Sequence, residues 1–72
     1  MEIDFHGWKV EEAEQEIHRM IGQARMGGGK VAIKVITGNG AIKQSVLTIC
    51  GEYGILFQEQ IGNTGTLLGF ID

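Results

Sequence analysis

The chain has no proline, one cysteine, few aromatic residues and no long apolar segment. A lone cysteine excludes an internal disulfide and favours a reducing compartment, so we expect a cytoplasmic protein with Cys50 as a small core residue. The longest uncharged run is interrupted at Lys43–Ser45, and this excludes a membrane span. Glu2 and Asp4 lie where a secretory signal would carry basic residues, so no signal peptide is predicted.

Positive charge is also scarce, because six Lys and Arg residues face nine Asp and Glu residues and the net charge is −3. This balance argues against a broad electrostatic grip on nucleic acid, which normally needs a basic patch. The charges are unevenly distributed, with four glutamates in one helical segment and three lysines, Lys30, Lys34 and Lys43, around a glycine turn. A small basic patch with weak, salt-sensitive binding is compatible with that distribution.

With 72 residues, the chain is long enough for one small domain. Period-2 and period-3.6 apolar patterns, separated by glycines, predict the element order β-α-β-α-β-β. The predicted strands are Glu2–His6, Val31–Ile36, Ile55–Gln60 and Thr66–Ile71, and the predicted helices are Val10–Arg25 and Ile42–Tyr53.

Right-handed crossovers make strands one, two and three parallel, and a hairpin makes strand four antiparallel. Two crossovers without reversal place both helices on one face of a four-stranded mixed sheet. The predicted fold is therefore a two-layer α/β (α+β) sandwich. The polar triplet Gln58–Gln60 predicts that strand three is an edge strand. The apolar Thr66–Ile71 predicts an interior strand covered on both sides, in which Gly69 marks a bulge or a close backbone approach.

The stretch Lys30–Val46 reads as a strand, a glycine turn at Gly38, Asn39 and Gly40, and a helix. A helix that starts after such a turn directs unpaired N–H groups and a positive dipole end toward the loop, which suits phosphate. Lys34 and Lys43 are candidate phosphate contacts. The alternatives are a tight connection without a ligand and ordinary solvated lysines.

The turns after strands one, two and three converge at the carboxyl edge of the predicted sheet, where ligands of open α/β sheets bind. They are His6–Gly7, Thr37–Gly40 and Gly62–Gly65. Asp4 and His6 project to the same side of strand one. A histidine beside a carboxylate can act as a general base or bind a metal, and the alternative is a solvent-facing pair.

Three segments resemble the Smr (small MutS-related) domain family. Ile3–Gly7 resembles the family's L-D-L-H-G opening and is followed by Val10–Ala13, which resembles its V-E-E-A helix start. Ile36–Gly40 is similar to its H-G-x-G turn, in the T-G-x-G form. Gly62–Gly65 with Leu67–Ile71 resembles its closing turn and final strand.

The resemblance implies a β-α-β-α-β-β sandwich with strand four between strands two and three. It also implies binding of DNA or RNA and nicking or cleavage, in some members with a divalent metal such as Mg or Mn. By motif, Asp4, His6 and Thr37 would be catalytic, and Gly7 and Gly38–Gly40 would help bind phosphate. Asp4 would ligate a metal or orient the imidazole, and His6 would deprotonate water or an RNA 2′-hydroxyl.

Thr37 stands where many members of the family have histidine, and threonine cannot shuttle protons near pH 7. Two principal hypotheses therefore remain, an endonuclease and a non-catalytic nucleic-acid-binding module. A third is a structural or regulatory protein that pairs through an exposed strand edge, for example as a homodimer. Trp8 either stacks on a base or packs against the first helix, and His18 is expected at the surface.

Overall fold

The computed structural model describes all residues, 1–72. The elements follow the predicted order. The strands are β1 (Glu2–Asp4), β2 (Val31–Ile36), β3 (Phe57–Gln60) and β4 (Asn63–Ile71), and the helices are α1 (Val10–Met26) and α2 (Ala41–Glu52).

The four strands form one mixed sheet in the order β1-β2-β4-β3. β1 pairs with β2 in parallel, and β4 is antiparallel to both β2 and β3. β1, β2 and β3 therefore run in the same direction, and β4 lies between β2 and β3. The predicted topology is confirmed, including the edge position of β3.

Both helices cover one face of the sheet, and the hydrophobic core lies between the two layers. The periodicity of α1 predicts one apolar face, made of Val10, Ala13, Ile17, Met20, Ile21 and Ala24. All of these residues are buried except Val10, which is half-buried. Lys9 offers no side-chain cap to this helix. Instead, the Glu12 carboxylate accepts a hydrogen bond from the Lys9 backbone N–H at 3.1 Å. Neither helix is long and apolar enough to cross a membrane.

Two strand boundaries differ from the sequence prediction. β1 ends at Asp4 and not at His6, because the Asp4 carboxylate accepts a hydrogen bond from the His6 backbone N–H at 2.9 Å and turns the chain. The β3–β4 turn is confined to Ile61 and Gly62, where Gly62 has φ 81°, so the predicted Gly62–Gly65 turn mostly belongs to β4. A bulge between Glu59 and Gln60 accommodates this tighter turn.

The prediction that β4 is covered on both sides is wrong. Leu67 and Ile71 are buried beneath the helices, but Leu68 and Phe70 are 39% and 57% exposed on the opposite face. That face has no covering layer because both crossover helices lie on the other side. The prediction for Gly69 is confirmed as a close approach, since a Cβ there would lie 2.8 Å from the Leu56 carbonyl oxygen.

Candidate functional site

A pocket of about 250 Å³ lies at the carboxyl edge of β1 and β2. It brings together five of the predicted site residues, and its other lining residues are apolar, namely Phe5, Ile36 and Ile42. The predicted site residues that line it are Asp4, His6, Gly7, Thr37 and Gly38. Four predicted site residues do not line it, namely Lys34, Asn39, Gly40 and Lys43.

The turn after β1 positions His6 at this pocket. The Asp4 carboxylate fixes the turn through the His6 backbone N–H, and the left-handed conformation of Gly7, with φ 80°, lets the chain reverse. Asp4 therefore orients the backbone that carries His6, whereas no hydrogen bond joins its carboxylate to the imidazole. The His6 side chain is exposed at the mouth of the pocket.

Trp8 packs on the solvent side of the same turn. Its backbone N–H donates to the Phe5 carbonyl oxygen at 3.0 Å, and its ring packs edge-on against the Phe5 ring at 4.9 Å between centroids. Phe5 is buried, whereas Trp8 keeps 38% of its surface exposed. The Trp8 ring therefore packs on the turn beside the pocket.

The second wall of the pocket is the Thr37–Gly40 turn, which is tied to β4. The Gly65 carbonyl oxygen accepts hydrogen bonds from the backbone N–H groups of Thr37 at 2.8 Å and Gly38 at 3.0 Å. The Thr37 hydroxyl lies 2.8 Å from the Gly38 carbonyl oxygen and 3.2 Å from that of Gly65, so its proton is donated within the turn. These contacts fix the turn against the first residues of β4.

Gly65 is the residue that sequence reasoning missed. A Cβ at this position would lie 3.0 Å from the Gly38 Cα, so the two backbones touch without an intervening side chain. The sequence assigned Gly65 to a hairpin turn, whereas it lies within β4. A glycine between two threonines in a strand was the available signal, because such a glycine often marks a close backbone approach.

The start of α2 carries unpaired backbone donors beside the pocket. Gly40 is the N-cap residue and supplies no capping side chain. The N–H groups of Asn39, Gly40, Ala41 and Ile42 make no hydrogen bond within the chain. These donors and the helix dipole favour an anion, whereas the N–H groups of Thr37 and Gly38 are already occupied.

Lys43 lies in a different environment from the one predicted. It is buried on the inner face of α2, where its ammonium forms an ion pair with Glu59 and lies 3.4 Å from the Asn39 side-chain oxygen. That oxygen also accepts a hydrogen bond from the Thr64 hydroxyl at 3.0 Å. The charge of Lys43 is therefore balanced inside the fold, and it is neither a pocket residue nor a solvated lysine.

Lys34 lies on the uncovered sheet face, as its strand parity predicts, where it pairs in register with Glu2 of β1. It stands two residues before Ile36, which lines the pocket. It therefore faces the surface next to the pocket.

The pocket residues do not form a metal site by themselves. Asp4 is the single carboxylate that lines the pocket, and no group of three or more His, Cys, Asp or Glu side chains in the chain is arranged to hold a metal ion. Asp4 and His6 alone do not make an all-protein site, and a Mg²⁺ or Mn²⁺ ion held there would complete its shell with water and substrate phosphate oxygens.

The second histidine and the single cysteine of the chain lie outside the pocket. His18 is exposed on α1, as predicted, and its Nδ1 lies 2.8 Å from the Tyr53 hydroxyl. Cys50 is buried in the core, and burial raises the pKa of its thiol to about 11. Cys50 is therefore a neutral packing residue, and His6 is the imidazole available at the pocket.

Comparison with known proteins gave one family match. Searches of curated proteins and of solved structures returned no significant match. The model of the Smr domain matches residues 3–61, which include most of β1, the Thr37–Gly40 turn and β3 but not β4. The match covers most of the chain and contains every residue that lines the pocket, so the chain belongs to the Smr domain family.

Proposed function

We propose that this domain binds RNA and cleaves it at the pocket between the β1 turn and the Thr37–Gly40 turn. The observation that carries the proposal is the shared lining of this pocket by Asp4, His6, Gly7, Thr37 and Gly38. His6 would supply a general base at this pocket, and the free N–H groups at the start of α2 beside it would bind a phosphate.

The phosphate would be held by the free N–H groups from Asn39 to Ile42 at the start of α2. Titration with inorganic phosphate or a short oligonucleotide, followed by amide NMR, should shift the signals of these residues. The signals of Thr37 and Gly38 should move less, because their N–H groups already bond to Gly65. Shifts confined to α1 would contradict this position of the site.

His6 would act as the general base. It would take the proton of the 2′-hydroxyl, whose oxygen attacks the adjacent phosphorus as the bond to the 5′-oxygen breaks. The departing 5′-oxygen takes a proton from solvent, and the products are a 2′,3′-cyclic phosphate and a 5′-hydroxyl. General base catalysis is worth about 10²–10⁴-fold.

Asp4 would be a positioning residue in this mechanism. Its carboxylate accepts a hydrogen bond from the His6 backbone N–H, and this bond fixes the backbone position from which the imidazole projects. Asparagine keeps an acceptor oxygen at that place, so Asp4→Asn should retain the turn and separate the effect of charge from that of geometry. A loss of cleavage in Asp4→Asn with an unchanged fold would show that the carboxylate charge matters to the reaction.

The test is RNA cleavage by His6→Ala against the matched control His18→Ala. These are the two histidines of the chain, and His18 lies away from the pocket on α1. His6→Ala should lower the rate by at least about 10²-fold with little change in oligonucleotide affinity, and His18→Ala should keep the wild-type rate. Full activity in His6→Ala would remove His6 from the mechanism.

A non-catalytic nucleic-acid-binding module is the second candidate, and the environment of Thr37 favours it. The Thr37 hydroxyl proton is used within the turn, so this residue contributes no proton transfer to a bound phosphate. Under this alternative the wild type binds oligonucleotide and does not cleave it. Thr37→His would then leave cleavage absent, whereas it should raise the rate if the pocket is catalytic.

A further inference from the structure

The uncovered face of the sheet carries apolar side chains around a shallow depression of about 730 Å³. Phe70 and Leu68 on the central strand β4 line it together with Leu56, which is 86% exposed. A central strand normally exposes polar side chains on its solvent face. An aromatic and two leucines there indicate a binding surface.

The basic residues of the chain are divided between the two layers. Arg19 forms an ion pair with Glu16, Lys43 with Glu59, and Arg25 donates to the Tyr53 carbonyl oxygen. The lysines without such a partner are Lys9, Lys30 and Lys34. Lys34 lines the depression, and the ammonium of Lys30 lies 5.4 Å from the centre of the Phe70 ring.

Negative charge is concentrated on the other side of the molecule. Four glutamates lie on α1, in the helical layer, namely Glu11, Glu12, Glu14 and Glu16. On the uncovered face, Glu2 and Asp4 lie on the edge strand β1, whereas Lys30 and Lys34 flank the centre. Glu2 also lines the depression, opposite Lys34 in the β1–β2 register. The counter-charges that a polyanion would meet near Phe70 are therefore Lys30 and Lys34, whereas the helical layer presents mainly glutamates.

The depression and the pocket lie along the same strand, β2, and share no lining residue. Ala32 pairs with Phe70, and Ile36, four residues further along β2, lines the pocket. At about 3.3 Å per residue the two positions are about 13 Å apart. At about 3.4 Å per nucleotide this distance is spanned by about four stacked nucleotides.

We propose that the uncovered sheet face is a stacking platform for single-stranded nucleic acid, with one base stacked on Phe70 and flanking phosphates paired with Lys30 and Lys34. When a base stacks on Phe70, the Lys30 ammonium leaves the face of the Phe70 ring and pairs with a phosphate of the bound strand. A duplex does not fit this role because its bases are already stacked. The inference rests on the proposed function, since it extends the bound strand from the pocket, and it identifies the partner as single-stranded.

Stacking predicts a specific order of affinities for a twelve-nucleotide single strand. Phe70→Trp should bind at least as tightly as the wild type, whereas Phe70→Leu, which keeps an apolar side chain, should bind about 5- to 100-fold more weakly. Met26→Ala is the matched control, because Met26 is equally apolar and highly exposed but lies at the end of α1. Fluorescence anisotropy with a labelled oligonucleotide measures all four proteins.

The lysines are tested by salt dependence. Lys30→Met with Lys34→Met should weaken binding and reduce the slope of log affinity against log salt by about 1.4, at about 0.7 for each phosphate contact on a single strand. Arg19→Met changes the net charge by one unit on the outer face of α1 and should leave the slope nearly unchanged.

Cleavage of a dinucleotide separates this inference from the proposed function. A dinucleotide reaches only the pocket, so wild type and Phe70→Leu should cleave it equally, while the twelve-nucleotide strand should show a raised KM in Phe70→Leu. Absence of cleavage with the affinity order intact would overturn the nuclease and support the platform. The stacking platform would be overturned if Phe70→Leu bound the oligonucleotide as tightly as the wild type. It would also be overturned if the wild type were a dimer that Phe70→Leu converts to a monomer without changing oligonucleotide binding.

Discussion

Replacing Gly65 by alanine tests the contact that joins the Thr37–Gly40 turn to β4. The new Cβ would lie 3.0, 3.3 and 3.4 Å from the Gly38 Cα, carbonyl carbon and nitrogen. All three atoms belong to a backbone that the Gly65 carbonyl oxygen holds through two N–H bonds. No flexible side chain is available to move aside, so the turn itself must shift.

The cost follows from this geometry. Overpacking of a tight contact costs about 1–3 kcal/mol, and alanine returns about 0.4–1 kcal/mol by restricting the unfolded chain. The net expectation is a loss of about 1–2 kcal/mol in the free energy of unfolding, which corresponds to a Tm lower by roughly 4–16 °C in a domain of this size. Amide signals from Thr37 to Ile42 should also shift, because the displaced turn carries them.

Gly22→Ala is the matched control. Gly22 lies inside α1, where an added Cβ meets nothing within 4 Å. The same substitution should therefore stabilise the protein by about 0.5–1 kcal/mol, through helix propensity alone. Thermal and urea unfolding of both variants measures the contrast. A Gly65→Ala protein as stable as the wild type, with unshifted turn signals, would refute the close-contact argument.

Two other predictions concern the core. Glu59→Gln should lower the free energy of urea unfolding by about 2–3 kcal/mol, because it leaves the buried Lys43 ammonium without its carboxylate. Lys43→Met should cost far less, because Glu59 is half exposed and stays hydrated. Equal losses in the two variants would contradict this asymmetry. The pKa of Cys50 is raised from 9.0 to about 11, so the unfolded chain loses this proton first. The contribution of the Cys50 thiol to the free energy of unfolding should be fully present below pH 9 and fall by about 3 kcal/mol as the pH rises to 11. It is measured as the difference in free energy of unfolding between wild type and Cys50→Ala. Parallel pH profiles of the two proteins would refute this prediction.

Local signals in the sequence predicted most of the fold. The period of α1 predicted six residues on its apolar face, of which all but Val10 are buried, and the polar triplet Gln58–Gln60 identified the edge strand. Gly69 indicated a close backbone approach, which the Leu56 carbonyl oxygen makes. Each of these features depends on a pattern within a few residues, and such patterns are readable without knowledge of distant contacts.

Features that depend on distant partners were not predictable. Lys43 looked like a surface lysine near a phosphate turn, but its partner Glu59 is sixteen positions away and meets it only after the sheet has formed. The end of β1 was misplaced for a different reason. The Asp4 side chain competes for the His6 N–H, and this local bond ends the extended strand where alternation alone would continue it.

The error about β4 has a physical explanation that bears on function. Strand composition predicted cover on both faces, whereas two right-handed crossovers without reversal leave one face of the sheet without a helix. The topology therefore required Leu68 and Phe70 to face solvent, and they do. Burial in the folded monomer cannot account for an exposed aromatic on a central strand between unpaired lysines. The proposed single-stranded nucleic acid would supply flat apolar groups for Phe70 and negative charge for Lys30 and Lys34.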